Sequence, residues 1–222
     1  IDTNKIIDFK SFLFKKKAQR IYQSRKIKSL YFENLNREMY TDSIEGVRPR
    51  KKIRVRNYPN AKDNNLYLET KISSAEGRFK TRKIVDEKKF NYIKTRGILD
   101  PQYGLCKPSL YVTYDREYFK IDDIRISIDN NINYMLFLNN IVERDENSIV
   151  EIKTSIKKNL DKLIEDFPFQ NNRFSKYCNA VEKIILKWKK SILYLYNTVL
   201  IKEWLYFIFF FYKYFLICQK SH

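Results

Sequence analysis

The sequence is poor in the residues that most enzyme chemistry uses. His222, at the last position, is its only histidine, and its 3 cysteines are Cys106, Cys178 and Cys218. One terminal histidine argues against histidine-dependent nucleophilic or acid-base catalysis and against a histidine-rich metal site. The cysteines are widely separated and form no CxxC pair, so neither a disulfide framework nor a zinc site is predicted, and a reducing compartment fits best. Any metal ion must therefore bind to oxygen ligands.

The sequence also lacks an uninterrupted apolar run of membrane-spanning length. Residues 204–218 are almost wholly apolar except for Lys213, but Lys202 and Glu203 keep the run below the roughly 20 residues that a span needs. Three interpretations stay open for this tail: a buried or interfacial helix, a membrane anchor, or a segment without native structure. No secretory signal is visible, so we expect a cytoplasmic protein, with membrane association through 204–218 as the alternative.

Positive charge is what the sequence has in excess. Its 222 residues include 44 Lys and Arg against 26 Asp and Glu, a formal net charge of +18 at pH 7. Such a charge attracts nucleic acid, phosphate chains or anionic lipid without distinguishing among them. The length suits one main domain with an appendage. We divide the chain into an N-terminal helical segment (1–26), a main domain (27–190) and a hydrophobic C-terminal tail (191–222).

Residue periodicity predicts a β-rich domain between helices. Apolar residues among lysines indicate a helix over 5–22. From 155 to 200 the apolar spacing is again helical; Pro168 interrupts it, and Ser175 is placed to cap a second helix that runs through Trp188. Strand-like segments lie between these helical regions, near 27–33, 50–58, 66–72, 78–84, 110–118, 124–129 and 148–153.

Alternation within the predicted strands places charge on one face. In 50–58, Ile53 and Val55 occupy one face, and the opposite face carries Arg50, Lys52, Arg54, Arg56 and Tyr58. The same alternation in the other strands sets further polar side chains opposite apolar ones: Tyr67, Glu69, Lys71, Lys80, Arg82, Tyr114, Arg116, Arg125, Ser127, Asp129, Glu151 and Lys153.

This alternation has two interpretations. On any single strand it is typical of a half-buried antiparallel sheet whose polar side faces solvent. Its recurrence across six strands favours a closed sheet with a polar lumen and helices outside. Cations that line a confined lumen repel one another unless an anion neutralises them. A phosphate chain supplies that charge, because Arg binds phosphate oxygens through two N–H groups and Lys acts as a point charge.

Short motifs, taken in order along the chain, resemble those of a known family. They are Ser29-Leu30-Tyr31-Phe32-Glu33, the strand that carries Arg54 and Arg56, Leu68-Glu69-Thr70-Lys71, Lys80-Thr81-Arg82, Tyr114-Asp115-Arg116, Arg125-Ile126-Ser127-Ile128-Asp129, Glu151-Ile152-Lys153 and Phe174-Ser175-Lys176-Tyr177. Each motif alone is weak. The ordered series over residues 27–178 resembles the polyphosphate-polymerase (VTC) domain of the triphosphate-tunnel (CYTH-like) enzymes.

The resemblance implies an α+β fold, an antiparallel β-tunnel of about eight strands with flanking helices, here with an apolar C-terminal tail. It also implies transfer of the γ-phosphoryl group of ATP to a growing polyphosphate chain with Mn²⁺ or Mg²⁺. ATP and inorganic polyphosphate are then the expected partners, and nucleic acid is not.

The resemblance also implies roles for individual residues. Those assigned to catalysis in the tunnel are Arg54, Arg56, Lys71, Arg116 and Arg125. Those assigned to phosphate binding by motif are Lys80, Tyr114, Ser175 and Lys176; Arg50, Lys52, Arg82 and Lys153 are added because they share the charged strands. Glu151 matches the metal-binding carboxylate. Structural alternatives are an ion pair for Glu151, an ion pair with Lys71 for Glu69, and a simple helix start for Ser175 and Lys176.

One family feature has no counterpart that we recognise. A first strand of the form Glu-x-Lys-Tyr is not found before Ser29, and its absence would leave the tunnel open or an edge unpaired. Three functions therefore stay open: a polyphosphate polymerase or related triphosphate-processing enzyme, a catalytically weak polyphosphate-binding or triphosphate-binding regulatory domain, and a basic nucleic-acid-binding β domain. In the third, bases would stack on Tyr111, Tyr114, Tyr118 and Phe119.

Overall fold

The structure is a computed structural model that describes residues 1–61, 63, 65–138, 141–154, 172 and 174–186. These residues include nine strands: β1 (Gln19–Glu33), β2 (Arg50–Asn57), β3 (Leu66–Ser73), β4 (Arg78–Val85), β5 (Ile98–Asp100), β6 (Gly104–Ile121), β7 (Ile124–Leu136), β8 (Val142–Arg144) and β9 (Ile149–Lys153). The helices are α1 (Ile6–Lys15), α2 (Glu38–Glu45), α3 (Glu87–Arg96) and the short α4 (Lys176–Ala180), followed by a π-helical turn (Val181–Leu186). The strands and α1 to α4 all lie in one compact unit, Ile1–Ile184, and a second unit comprises Ile185–His222.

The nine strands form one antiparallel sheet. Its order is β4-β3-β2-β1-β6-β7-β8, with β5 beside β6 and β9 beside β7. Strand β1 pairs with β6 along its length but with β2 only over residues 28–32. The predicted α+β class, with an antiparallel sheet and flanking helices, is confirmed.

The sheet is not closed, which differs from the predicted tunnel. Within the described residues, no strand joins β4 to β8 or β9. The prediction of closure rested on one polar and one apolar face in each strand. An open sheet satisfies that pattern equally well, because side-chain alternation depends on the strand and not on what its outer edge meets.

Helices cover the apolar face of the sheet in two clusters. At one end, Phe9 and Leu13 of α1 are buried against β7. Fully burying one such side chain contributes about 1.5–3 kcal/mol, so this contact holds α1 on the sheet. At the other end, side chains of β1 and β2 pack against α2, α3 and the start of β6: Leu30, Phe32, Met39, Ile53, Val55, Ile93, Tyr103 and Cys106. The opposite face, which we call the charged face, is left for polar side chains.

All seven predicted strands are present. β2, β3, β4 and β9 match to within one residue, whereas β1, β6 and β7 are longer than predicted because residues beyond the predicted ends also pair in the sheet. The predicted helix over 5–22 is wrong beyond Lys15. The chain turns at Lys17, which has a left-handed φ of 55°, and β1 begins at Gln19.

The predicted cap of the C-terminal helix is confirmed. The Ser175 hydroxyl accepts a hydrogen bond from the backbone N–H of Cys178 at 3.3 Å, at the start of α4. The helical pattern before Pro168, the continuation through Trp188 and the apolar tail 204–218 lie outside the described residues. Among the helices that the structure describes, none has the length and apolarity to cross a membrane.

Candidate functional site

The carboxylate of Glu69 in β3 lies close to four cationic side chains on the charged face. The side chain of Glu69 is 1% exposed, and its carboxylate lies 2.8 Å from Nη2 of Arg54 and 2.6 Å from Nζ of Lys80. Nε of Arg82 and Nη1 of Arg56 are farther away, at 3.6 and 3.8 Å. Cross-strand pairing explains the arrangement, because Glu69 stands opposite Arg54 in β2 and Arg82 in β4. We call these five residues the Glu69 cluster.

The Glu69 cluster makes stability sensitive to acid. Burial acts to raise the pKa of Glu69, but the charges of Arg54 and Arg56 and hydrogen bonds from Lys80 and Arg54 outweigh it and lower the pKa from 4.5 to about 2. A carboxylate with a lowered pKa stabilises the fold above its unfolded-state pKa, and this contribution is lost as pH falls through the folded-state pKa.

We therefore expect the free energy of unfolding to decrease as pH falls from about 4.5 towards 2. Glu69→Gln cannot take up that proton, so the decrease should be smaller in this variant over the same window. Urea unfolding at a series of pH values measures both slopes. Equal slopes in the two proteins would show that Glu69 is not the group responsible.

Asp129 of β7 is the second buried carboxylate, and its side chain is 0% exposed. Nε and Nη2 of Arg116 donate to its two oxygens at 2.5 and 2.7 Å, and Nζ of Lys176 lies 2.5 Å from Oδ2. Burial acts to raise the pKa of Asp129, but the hydrogen bond from Arg116 and the charge of Lys176 lower it overall. We call these three residues the Asp129 cluster. Because Lys176 begins α4, this ion pair fixes the start of that helix on the charged face.

Tyr114 of β6 connects the two clusters. Its hydroxyl accepts a hydrogen bond from Nη2 of Arg56 at 3.2 Å. Its ring centroid lies 5.3 Å from Cζ of Arg116 and 4.9 Å from Nζ of Lys176. A cation at this distance from a ring is attracted by the negative ring face. Arg56 and Arg116, which were assigned to catalysis, are thus brought together with Tyr114 and Lys176, which were assigned to phosphate binding.

A row of lysines, which includes Lys80 of the Glu69 cluster, crosses β2, β3 and β4. Lys52, Lys71 and Lys80 are direct cross-strand neighbours, and Nζ of Lys52 donates to the Ser175 hydroxyl at 2.7 Å. The pKa of Lys71 is lowered, first by loss of solvent around its ammonium group and then by the charges of Arg78 and Lys52. Like charges held this close favour an anionic ligand.

The negative charge of Glu151 acts to raise the pKa of Lys71. Glu151 is in β9 and Lys71 is in β3, and four strands separate β9 from β3 in the sheet. Nζ of Lys52 in β2 donates to Ser175, and Nζ of Lys176 lies 2.5 Å from Asp129 in β7, so the start of α4 contacts both strands on the charged face. The open sheet therefore retains part of the enclosure that a tunnel would provide.

Tyr31 of β1 also belongs to this site, although the sequence motifs predicted no role for it. Its hydroxyl accepts a hydrogen bond from Nη1 of Arg54 at 2.8 Å, and its ring stacks on Tyr177 of α4 with centroids 5.0 Å apart. Tyr177 in turn donates to the buried carboxylate of Glu33, which also accepts from the backbone N–H of Met39. Burial acts to raise the pKa of Tyr31, but the neighbouring arginines lower it overall. The signal was available in the Ser29–Glu33 motif, where alternation sets Tyr31 on the same face as Arg54.

Glu151 is the exposed one of the three carboxylates that contact cations on this face. Glu69 and Asp129 are buried and held by cations at 2.8 Å or less. The Glu151 side chain is 45% exposed, and its contacts with Arg116 and Lys153 are longer, at 3.7 and 3.5 Å. The described residues contain no group of three or more His, Cys, Asp or Glu side chains that could hold a metal ion. Glu151 could contribute one protein ligand to a divalent ion, with phosphate oxygens and water as the others, which is the usual arrangement for Mg²⁺.

Other predicted site residues lie away from the two clusters. Nη1 of Arg50 donates to the carbonyls of Gly46 and Val47 at 3.2 and 2.9 Å, in the loop that follows α2. Arg125 is exposed and pairs in register with Lys153 of β9 and Lys120 of β6. Glu69 contacts Arg54 and Lys80, and the described residues show no ion pair between Glu69 and Lys71, which was the structural alternative for this residue.

Comparisons with known proteins identify the family and the fold. A protein-family model for the VTC domain matches residues 4–102 and 99–185. Among solved structures, a candidate adenylate cyclase from Bacillus halodurans has a TM-score of 0.52 at 11% identity, over 79% of this chain and 90% of that chain. A conserved hypothetical protein from Pyrococcus furiosus has a TM-score of 0.44 at 18% identity, over 72% of this chain and 78% of that chain. No curated protein matches the sequence. The first likeness shows a shared fold, the family match covers most of the chain, and the chain belongs to the VTC domain family.

Proposed function

We propose that this chain is an ATP-dependent polyphosphate polymerase, which transfers the γ-phosphoryl group of ATP to a growing polyphosphate chain. The observation that carries the proposal is an excess of positive charge on the charged face. Among the described residues, seven cations contact only three carboxylates there: Arg54, Arg56, Lys80, Arg82, Arg116, Lys153 and Lys176 around Glu69, Asp129 and Glu151. A triphosphate or a longer phosphate chain supplies the missing negative charge.

The cations on the charged face suit the requirements of phosphoryl transfer. Phosphoryl transfer passes through a loose transition state, so positioning and charge stabilisation provide most of the rate acceleration. Arg54 is oriented by Glu69 and Tyr31, and Arg116 by Asp129, which leaves each guanidinium with N–H groups for phosphate oxygens. Such pre-oriented donors need little rearrangement when charge develops on the transferred group.

The remaining predicted residues have supporting roles in this proposal. Lys71, with its lowered pKa, lies between Lys52 and Lys80 and would hold the end of the phosphate chain near Ser175. Arg125 and Lys153 would contact a longer chain at the β7–β9 edge, and Arg50 would do so only after leaving the α2 loop. Glu151 would hold Mn²⁺ or Mg²⁺ together with phosphate oxygens. A bound divalent ion bridges phosphate oxygens and neutralises charge in such reactions.

Glu151→Gln tests the proposal directly. We expect the wild type to convert ATP with Mn²⁺ to ADP and long-chain polyphosphate, and the variant to lose at least about 90% of this activity, because an amide is a poor ligand for a hard divalent ion. Production of ADP and of polymer should be followed together. Glu87→Gln, which removes an exposed carboxylate from α3, is the matched control and should keep full activity.

The open sheet supports a second candidate, a domain that binds triphosphate or polyphosphate without extending it. In that case the wild type would bind inorganic triphosphate and yet produce neither ADP nor polymer with Mn²⁺ or Mg²⁺. If Glu151→Gln forms as much polymer as the wild type, the protein is a polymerase but Glu151 is not its metal ligand.

A further inference from the structure

Three tyrosines surround Arg25 on the charged face, beside the Asp129 cluster, and a fourth tyrosine packs against one of them. Cζ of Arg25 lies 5.0 Å from the ring centroid of Tyr118, 5.5 Å from that of Tyr22 and 5.7 Å from that of Tyr58. The rings also pair edge to face, Tyr22 with Tyr118 at 5.5 Å and Tyr58 with Tyr67 at 6.0 Å. We call these five residues the tyrosine–arginine cluster.

The cluster adjoins both groups of cations. Arg25 of β1 stands directly opposite Arg116 of β6, and Tyr67 of β3 stands opposite Arg56 of β2. Arg82 of the Glu69 cluster stacks on Tyr67, with 3.6 Å between its Cζ and the ring centroid. A molecule whose phosphates bind to Arg56 and Arg116 would therefore have its next chemical group near these rings.

The rings are not packed as core side chains. Tyr22 is 56% exposed, and Tyr58, Tyr67 and Tyr118 are half-buried. A tyrosine that only stabilises the fold would place most of its ring in the apolar core, where burial contributes most. Flat aromatic surfaces that stay accessible next to a guanidinium plane are what stacking on a nucleic base requires.

We propose that the tyrosine–arginine cluster binds the base of a nucleoside triphosphate by stacking. This inference rests on the proposed function, because it takes the phosphates to lie on the Glu69 and Asp129 clusters. Stacking on aromatic rings tolerates different bases, since every base has a π-face. Because of this stacking, the protein should bind a nucleoside triphosphate more tightly than a phosphate chain without a base.

The test compares ATP with inorganic triphosphate on the full chain, by calorimetric titration without divalent metal, so that no turnover occurs. Base stacking on an aromatic side chain is worth about 1–3 kcal/mol, so we expect the wild type to bind ATP about tenfold more tightly than triphosphate. Tyr22→Ala should remove most of that difference and leave triphosphate affinity unchanged. Arg25→Lys, which keeps the charge but loses the flat guanidinium, should do the same.

Tyr92→Ala is the matched control, because Tyr92 is an exposed tyrosine on α3 at 64% exposure and is expected to change neither affinity. Two results would overturn the base site: equal binding of ATP and triphosphate by the wild type, or an equal loss of both affinities in Tyr22→Ala and Arg25→Lys. Failure of the wild type to bind triphosphate at all would overturn the proposed function and the base site together. Thermal unfolding of each variant confirms that the fold is intact.

Discussion

Replacing Arg54 and Arg56 together by Gln should weaken the binding of inorganic triphosphate at least about hundredfold. Each hydrogen bond between charged groups contributes about 1.5–3 kcal/mol, and two such losses multiply to this factor or more. The two guanidinium groups are also pre-oriented, Arg54 by Glu69 and Tyr31 and Arg56 by Ser29 and Tyr114, so no flexible side chain can simply replace them. Calorimetric titration of triphosphate measures the change.

A charge-matched control separates this effect from the general attraction of a basic protein. Lys88→Gln with Lys89→Gln removes the same two charges from exposed positions on α3 and should change the affinity less than about threefold, because exposed charges are screened by salt. The Arg variant keeps Lys80 and Arg82 beside Glu69, so that carboxylate is still paired. If triphosphate affinity falls equally in both double variants, β2 is not part of the binding site.

Glu69→Gln should have the second large effect, on stability. Removing one partner of a buried ion pair costs about 3–5 kcal/mol, and the lower end applies because Lys80 and Arg82 are 46% and 40% exposed and can reach water. For a chain of this size, a loss of about 3 kcal/mol lowers the melting temperature by roughly 10 °C. Thermal unfolding at neutral pH and low salt measures the difference from the wild type.

Triphosphate should partly restore the stability of Glu69→Gln. In the variant the amide oxygen can still accept a hydrogen bond from Arg54, but the four cations lose a neutralising charge, so the anion should bind more tightly and raise the melting temperature more than it does in the wild type. Glu87→Gln, on α3, should unfold like the wild type with or without triphosphate. A Glu69→Gln protein that unfolds at the wild-type temperature, or that triphosphate stabilises less than the wild type, would contradict this account of the cluster.

Alternation along the strands made much of the fold predictable. Ile53 and Val55 are buried, and Arg54 and Arg56 lie on the opposite face, as the two-residue period requires. That period is a property of the strand itself, so the sequence of 50–58 is sufficient to derive it. The cap at Ser175 was predictable for the same reason, because the hydroxyl bonds to a backbone group only three residues away.

Contacts between distant segments were not predictable in this way. Asp129 meets Lys176 and Glu33 meets Tyr177 only because α4 lies on the charged face, and no local pattern shows where a helix docks. Arg25 was missed for another reason. The predicted strand began at residue 27, whereas β1 begins at Gln19; register shifts on either side of Tyr22 interrupt the alternation before Arg25, although Arg25 itself is in unbroken register with Ser29 and Tyr31.

The two faces of β2 also determine which changes in length this protein can tolerate. A one-residue insertion or deletion inside 50–57 would reverse every side chain beyond it, moving Ile53 and Val55 or their neighbours to the charged face and an arginine into the apolar core. Substitutions in β2 alter one contact at a time, whereas a change of length alters them all. Length variation among related chains should therefore fall in the loops on either side of β2 and spare the strand itself.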